Sequence, residues 1–487
     1  MSSPALSAGT RVGTYYHISD SLGNDSYDGL HGTYKGGTKG PWATLGKIAT
    51  QVTAGIVPGD RFLLRRGDTW TASASRVINL LNVDGKPYQN IIIGAYGPTS
   101  NANPIITGVG YGTLHRLIDM PGASYVTIRD ITLIGGANTY TFIDGDAGTY
   151  DGGIHHVNIL RLTLDNSSAD QNGYGYGLWF HDGYTTAHPA SNADQVEQLN
   201  NITVQSSTFK GMGGMIGDAN IDKIDCISMN PPKGGYINIH HNTFIECADQ
   251  AFDIPGEANH TIEYNYVLAC GHHPSAGTAT KFHSQYSHVS DSVIRGNLIL
   301  AGEEYGLSIW NASGLEIYNN TIFYDETDGS EPVLYMGNLD TDPKMYGVFE
   351  DNIFKNNIWL GSIYLWGSTG ASISADNTFT NNIHWNPATA DNLVYINDDS
   401  DWITQAEYAA DWIAKSGVTD DTNQNPDLVD ANFTTADNYI NGVDGDFSPA
   451  VGGDSIDGGV SVDMTVDIIG TAIPQGAAPD VGAYEYK

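Results

Sequence analysis

Four side chains on neighbouring stretches of this chain have the right types to do chemistry together. They are Asp225 in Lys-Ile-Asp-Cys-Ile-Ser, Asp249 and Asp253 in Ala-Asp-Gln-Ala-Phe-Asp-Ile, and Lys281 in Thr-Ala-Thr-Lys-Phe-His. Carboxylates grouped on one face can hold a hard cation such as Ca2+, which takes several oxygen ligands at about 2.3–2.6 Å. Gln250 adds a carbonyl oxygen to the set. A lysine beside a cation can have its pKa lowered and serve as a base. A base next to a cation is what removes a weakly acidic proton from carbon beside a carboxylate, with the cation stabilising the carbanion-like transition state.

Those residues share a face only if the chain repeats in space. A recurring pattern predicts that it does: alternating apolar residues, then Asn, then more residues of high β propensity. It reads Ile-Asn-Ile-His-His-Asn-Thr-Phe at 237–244 and Ser-Val-Ile-Arg-Gly-Asn-Leu-Ile at 292–299, and it ends on Asn242, Asn265, Asn297, Asn320, Asn352 and Asn377. These are 23, 32, 23, 32 and 25 residues apart. Periods above 20 with short period-2 strands mean stacked strand turns that share one core. The longer spacings are turns carrying inserted loops. Asn suits a repeated corner because it tolerates the left-handed conformation and bonds to nearby backbone. The expected fold is all-β, a right-handed parallel β-helix. Residues 40–54 are expected as an N-terminal capping helix and 403–415 as a second helix. Residues 1–394 form the solenoid and 395–487 a loop-rich C-terminal cap of the same domain.

Alternation then sets the faces. Phe252 and Ile254 turn inward, so Asp253 turns outward, and the same parity places Asp225 and Lys281 outward. The expected outward column runs Trp179, Asp225, Asp253, Lys281, Ser308, Tyr335, with rungs about 4.8 Å apart. Asp225 is the position most exposed to a register slip, with Asp218 or Asp222 as its substitutes, because a one-residue shift flips a side chain to the other face. Trp179, Trp310 and Tyr335 are candidate platforms for sugar rings. His283, with His272 and His273, is a candidate for the leaving group or for substrate contact. Arg295 is a candidate partner for a second carboxylate, or an ion-pair partner of Glu263. The bland reading of an Asp–Lys pair on stacked strands is a surface salt bridge of about 1 kcal/mol or less.

The run Asp249-Gln250-Ala251-Phe252-Asp253-Ile254, with an Asp one turn earlier and a Lys one turn later, resembles polysaccharide lyase family 9. The resemblance implies a right-handed parallel β-helix. It implies calcium bound by Asp225, Asp249 and Asp253, with Lys281 as the base. Gln250 stands where the family usually has another Asp. The expected activity is β-elimination in a uronic-acid polysaccharide, with an acidic polysaccharide as partner. Two rivals stay open. One is a glycoside hydrolase using a carboxylate pair such as Asp253 with Asp225, or Glu303 and Glu304. The other is a non-catalytic, tailspike-like carbohydrate binder.

Composition bounds the rest. The net charge of −35 argues against general nucleic-acid binding. No apolar run is long enough to span a membrane. The N-terminus shows no signal peptide, and the expected location is nonetheless extracellular, with a virion as an alternative route. A monomer is expected, or a trimer in the virion case. Cys226, Cys247 and Cys270 are too few for a disulfide framework. They are expected as small buried hydrophobes, Cys247 stacked on Cys270.

Overall fold

The computed structural model describes residues 13–109, 116–136, 139, 141–146, 153–167, 175–181, 199–213, 224–229, 235–255, 258–271, 278–283, 289–301, 305–310, 312–324, 332–337, 349–366, 377–386, 393–396, 401–404, 406–408, 410–412, 421–422, 425–431, 440–441 and 445–487. Among them, strands stack into three long sheets of 12, 12 and 11 strands. The first begins at Tyr15–Ile18, the second at Arg76–Asn79 and the third at Thr69–Thr71. Each full turn contributes one strand to each sheet, and rung neighbours are parallel. Antiparallel strand pairing among the described residues is confined to Val394–Ile396 with Asp401–Ile403 and Leu428–Asp430 with Asp446–Pro449. This is the right-handed parallel β-helix expected from the repeat.

The core follows from period-2 alternation. Ile237, Ile239, Phe244, Phe252 and Ile254 are all buried on their turns. Phe209 and Phe244 stack with centroids 5.0 Å apart from one rung to the next. One continuous apolar core therefore runs the length of the solenoid, as one-dimensional stacking requires.

An asparagine ladder locks one corner, between the first and third sheets. Asn242, Asn265, Asn297, Asn320, Asn357 and Asn382 are fully or almost fully buried. Each Oδ1 accepts from the backbone N–H and the Nδ2 of its neighbour on the preceding rung, as Asn265 does from Asn242 at 3.0 and 3.1 Å. Each Nδ2 donates to a carbonyl, as Asn265 does to Ile239 at 2.9 Å. The ladder begins on Ser207 N–H and ends on Asp421. Two expectations are corrected here. After Asn320 the ladder passes to Asn357 and Asn382, whereas Asn352 and Asn377 bond each other at the corner before the first-sheet strand. The left-handed residue is also not the ladder Asn. It is the residue before it: His241, Tyr264, Gly296, Asn319, Asn356 and Asn381 all have φ between 53° and 60°.

The capping helix spans Gly46–Gly55, later than 40–54, because Gly-Pro-Trp at 40–42 runs extended. Leu45 and Ile48 reach the core, and Trp42 stacks on Tyr16 at 4.9 Å. At the other end, the expected helix 403–415 begins as strand, and only 408 and 410–412 are helical among its described residues. Tyr408 and Trp412 are buried against His384 and Phe379 and close that end. The rest of the C-terminal region is more than a cap. From Phe447 onward it lies along the outside of the solenoid, packing Phe447, Met464, Ile468, Val481 and Tyr484 on Leu298, Leu300, Phe323 and Leu360 as a second apolar layer. No helix among the described residues is long and apolar enough to cross a membrane.

Candidate active site

The outward face of the second sheet carries the candidate chemistry. Its rungs align Asn79, Asp119, Asp144, Trp179, Ser228, Asp253, Lys281, Ser308, Tyr335, Tyr364 and Tyr395 as successive partners. The strand Phe252–Pro255 buries Phe252 and Ile254 and leaves Asp253 half-buried, as alternation requires. Lys281, on the strand Thr278–His283, is the direct rung partner of Asp253. His283, two residues on, pairs with Pro255 and Trp310. His272, His273, Glu303, Glu304, Asp218 and Asp222 lie outside the described residues.

Asp225 is not in this column. The position beside Asp253 on the preceding rung is Ser228, three residues later. The chain from 224 to 226 instead hydrogen-bonds to the corner at 249–250: Asp249 N–H donates to Ile224 O at 3.3 Å, and Cys226 N–H to Gln250 O at 2.8 Å. The sequence reading placed Asp225 in strand, but the strand proper starts at Ile227. Asp225 thus sits with Asp249 and Gln250 at the entry to the strand, and Asp253 lies further along it.

A disulfide pins this corner. Cys226 is bonded to Cys247, with Cα atoms 5.9 Å apart, which corrects the expectation of three free thiols. Cys270 stays free and buried, and its Sγ accepts from Cys247 N–H at 3.4 Å, one rung away as expected. Burial pushes its thiol up to about 12.

The donor chemistry of the corner suits a hard cation. Gln250 is 4% exposed, and its Nε2 donates to Asp249 Oδ1 at 2.8 Å. Its Oε1 is buried and has no hydrogen-bond partner among the described residues, which is unusual for a buried carbonyl. An orphaned oxygen beside a carboxylate has the donor chemistry of a hard-cation ligand. Asp225, Asp249 and Asp253 are not gathered into one cluster of three, however, and no such cluster exists among the described residues.

Arg295 is on a different face. It stands on the first sheet as the rung partner of Glu263 and Tyr318. Its Nε bonds Glu263 Oε2 at 2.6 Å, and one terminal nitrogen bonds the Tyr318 hydroxyl at 2.9 Å and the Asp463 carbonyl. Burial opposes its charge, but Glu263 and Tyr318 outweigh burial and raise its pKa. Of the two readings of Arg295, the structure shows the ion pair with Glu263, and the contact with Asp463 ties the C-terminal segment to the solenoid.

Aromatic rings flank the Asp–Lys rungs. On the N-terminal side Trp179 stacks on Tyr176 at 5.2 Å and on His181 at 4.1 Å. On the C-terminal side Trp310 donates from Nε1 to Ser308 Oγ at 2.5 Å, and its ring lies 4.3 Å from Tyr335. Tyr364 and Tyr395 continue the row at 6.0 and 4.8 Å spacings. The sequence reading missed these two, although their alternation matches that of Tyr335.

It also missed an ion-pair network two and three rungs before Ser228. Asp119 and Asp144 are fully buried on adjacent rungs. Arg116 bridges them at 3.2 and 3.0 Å, and Arg76 adds a contact to Asp119 at 3.2 Å. Burial pushes the Asp119 carboxyl up, while Arg116 and Arg76 pull it down. Arg116 thus ties two buried carboxylates together across adjacent rungs, with Arg76 added at Asp119.

Comparison with known proteins supports the architecture. Residues 225–404 match the family described as right handed beta helix region. No curated protein matches the chain. Among solved structures the chain is similar to the pectate lyase Pel9A, at 15% identity and a TM-score of 0.52, over 98% of each chain. It is also similar to the GH136 lacto-N-biosidase from Eubacterium ramulus, at 16% identity and 0.49, over 79% of this chain and 67% of that one. A rhamnogalacturonan lyase aligns at 17% identity and 0.48, over 76% and 87%. At these identities the likeness is one of fold.

Proposed function

We propose that this chain is a polysaccharide lyase that cuts a uronic-acid polymer on the outer face of the second sheet. The observation that carries the reading is the rung pairing of Asp253 with Lys281, one strand entry away from the oxygen-rich corner of Asp225, Asp249 and Gln250. The full-length alignment with the pectate lyase Pel9A supports it, as does the resemblance of 249–254 and Lys281 to polysaccharide lyase family 9.

In this reading the uronate lies across the Asp253 and Lys281 rungs. Lys281 takes the C5 proton with its neutral amine. The electron pair left on C5 forms the C4–C5 double bond, and the C4–O bond breaks. The departing oxygen takes a proton from the lysine ammonium or from solvent. Asp225, Asp249 and Gln250, at the strand entry, are the proposed holders of calcium, which would stabilise negative charge on the C6 carboxylate, and Asp253 stands further along the strand beside the Lys281 rung. Trp179 on one side and Trp310 with Tyr335 on the other would orient neighbouring sugars, and His283 would contact substrate from the same strand as Lys281.

The test is the ultraviolet absorbance of unsaturated uronides during incubation with pectate, alginate and other acidic polysaccharides. Each is run with calcium, with a chelator and with Lys281→Ala. A rise that needs Lys281 supports the lyase, and one that also needs calcium supports the metal. Chain cleavage without a rise would replace it with a hydrolase, and tight binding without cleavage with a carbohydrate binder.

A further inference from the structure

We propose that the N-terminal end of the first sheet carries a separate binding pocket for an acidic oligosaccharide, distinct from the second-sheet face. The charge distribution leads there. Residues 1–161 contain eight of the nine arginines and 12 of the 21 basic residues, against 11 of the 56 acids. The remaining chain holds nine basic residues and 45 acids. A polyanion is repelled by most of this surface, and screening over about 8–10 Å makes the local charge decisive.

A cavity of about 580 Å³ opens within that region, on the outward face of the first sheet. Ile92, Leu160, Arg61, Arg129 and Tyr88 are among its lining residues, and no acid is. This volume falls within the usual range for ligand pockets. Arg61 stands over the ring of Tyr15, 4.7 Å from its centroid, and has no carboxylate partner within ion-pair distance among the described residues. The acid nearest in sequence to Arg129, Asp130, is occupied: both its oxygens bind Arg161, at 2.7 and 3.0 Å. Arg129 Nε is left 3.8 Å from Asp130 and buried without a hydrogen-bond acceptor. Arg66, Arg129 and Arg161 thus share the single carboxylate of Asp130, and the partly exposed Arg129 leaves this face with more positive charge than that acid balances.

The backbone shapes the pocket for these arginines. Gly94 lies beneath Arg129, and a Cβ there would sit 3.2 Å from Arg129 Cγ and 3.5 Å from Nε. Tyr88 is fully exposed, with its backbone at φ 63°, and so presents its ring to solvent at the rim. An exposed ring beside polar groups suits the apolar face of a sugar. Asn90 is fixed by donating to Thr127 Oγ1 at 3.0 Å, and Gln89 lines the same edge for hydroxyls. Arg61 and Arg129 stand two rungs apart, about 10 Å by backbone spacing. That separation suits carboxylates on different sugars of one chain. The pocket does not depend on the reaction proposed above.

The test titrates the full-length Lys281→Ala protein with tri-galacturonate, with its methyl-esterified form and with sodium sulfate, by calorimetry. Hydrogen–deuterium exchange is followed in parallel. Tri-galacturonate is expected to bind and to protect residues 58–62 and 86–92. Esterification and the Arg61→Gln/Arg129→Gln double substitution should each weaken this at least tenfold. Tyr88→Ala, at a fully exposed position, should weaken it severalfold without lowering Tm, and Arg61→Lys should restore part of the loss. Equal binding of the ester, undiminished binding by the double variant, or protection confined to other segments would overturn the proposal. Sulfate binding as tightly as the trisaccharide, with no effect of Tyr88→Ala, would replace it with a simple anion pocket.

Discussion

Asp253 and Lys281 are direct partners across one rung of the second sheet, although 28 positions separate them in the chain. Rung spacing in such a ladder is about 4.8 Å, so the two residues hold neighbouring positions in one column of the sheet.

If Lys281 is the base, Lys281→Ala should lower kcat by about 10²- to 10⁴-fold, the usual contribution of a general base. Lys281→Arg should not rescue it, because a guanidinium does not deprotonate near neutral pH. Initial rates by ultraviolet absorbance give both values. A Lys281→Arg enzyme within threefold of the parent would remove Lys281 from the base role.

Asp225 sits at the corner and not in the column, so Asp225→Asn and Asp253→Asn should differ. Asp225→Asn should raise the calcium concentration needed for half-maximal activity and regain most of kcat in excess calcium. Asp253→Asn should lose kcat at any calcium concentration. Calcium titrations of both variants check this.

The Cys226–Cys247 bond and the buried Cys270 predict the thiol count. A thiol reagent should find no reactive group in the native protein, one after unfolding, and three after unfolding with reductant. Reduction should cost about 3 kcal/mol for a loop of this length, measured by urea unfolding. Three thiols without reductant would disprove the bond.

His260 is fully buried, with neither ring nitrogen hydrogen-bonded among the described residues, and burial lowers its pKa from 6.5 to about 3. Its folded pKa is depressed, so between about 6.5 and 3 the unfolded chain binds the proton and the folded chain does not. Stability should therefore fall as pH drops through that window, by up to about 1.4 kcal/mol per unit from this residue. His384, buried and also lowered by burial despite Asp421, acts in the same direction. Urea unfolding at pH 7.5 and 5.0 should show a smaller pH dependence for His260→Leu than for the parent.

Asn297 bonds both neighbouring rungs of its ladder. Asn297→Ala leaves the buried backbone N–H of Asn265 without its acceptor and Ile262 O without the Nδ2 donor, at about 1–3 kcal/mol for each buried group left unpaired. Asn320 Oδ1 keeps the backbone N–H of residue 297, and Asn265 Nδ2 keeps Ile239 O. Arg295→Ala should act differently, loosening the C-terminal segment. Limited proteolysis should cut near Asp463 sooner, while kcat stays within about twofold.

The sequence alone determined the solenoid, its core face and most of the outward column. Alternation and a period above 20 report local strand geometry and rung length, and those are properties of the chain itself. Trp179, Asp253, Lys281, Ser308 and Tyr335 fall on one column for that reason. Where a corner intervenes, the pattern loses count. Asp225 was placed in the column three residues too early on its rung because the strand starts at Ile227, and Asn352 stood in for Asn357 because two corners of one turn both carry Asn. Only the tertiary structure decided that Cys226 meets Cys247, that Arg295 bonds the Asp463 carbonyl, and that the C-terminal segment folds back along the solenoid. Each of these depends on which loops bring distant turns together, and loop paths are set by packing between segments that carry no shared period.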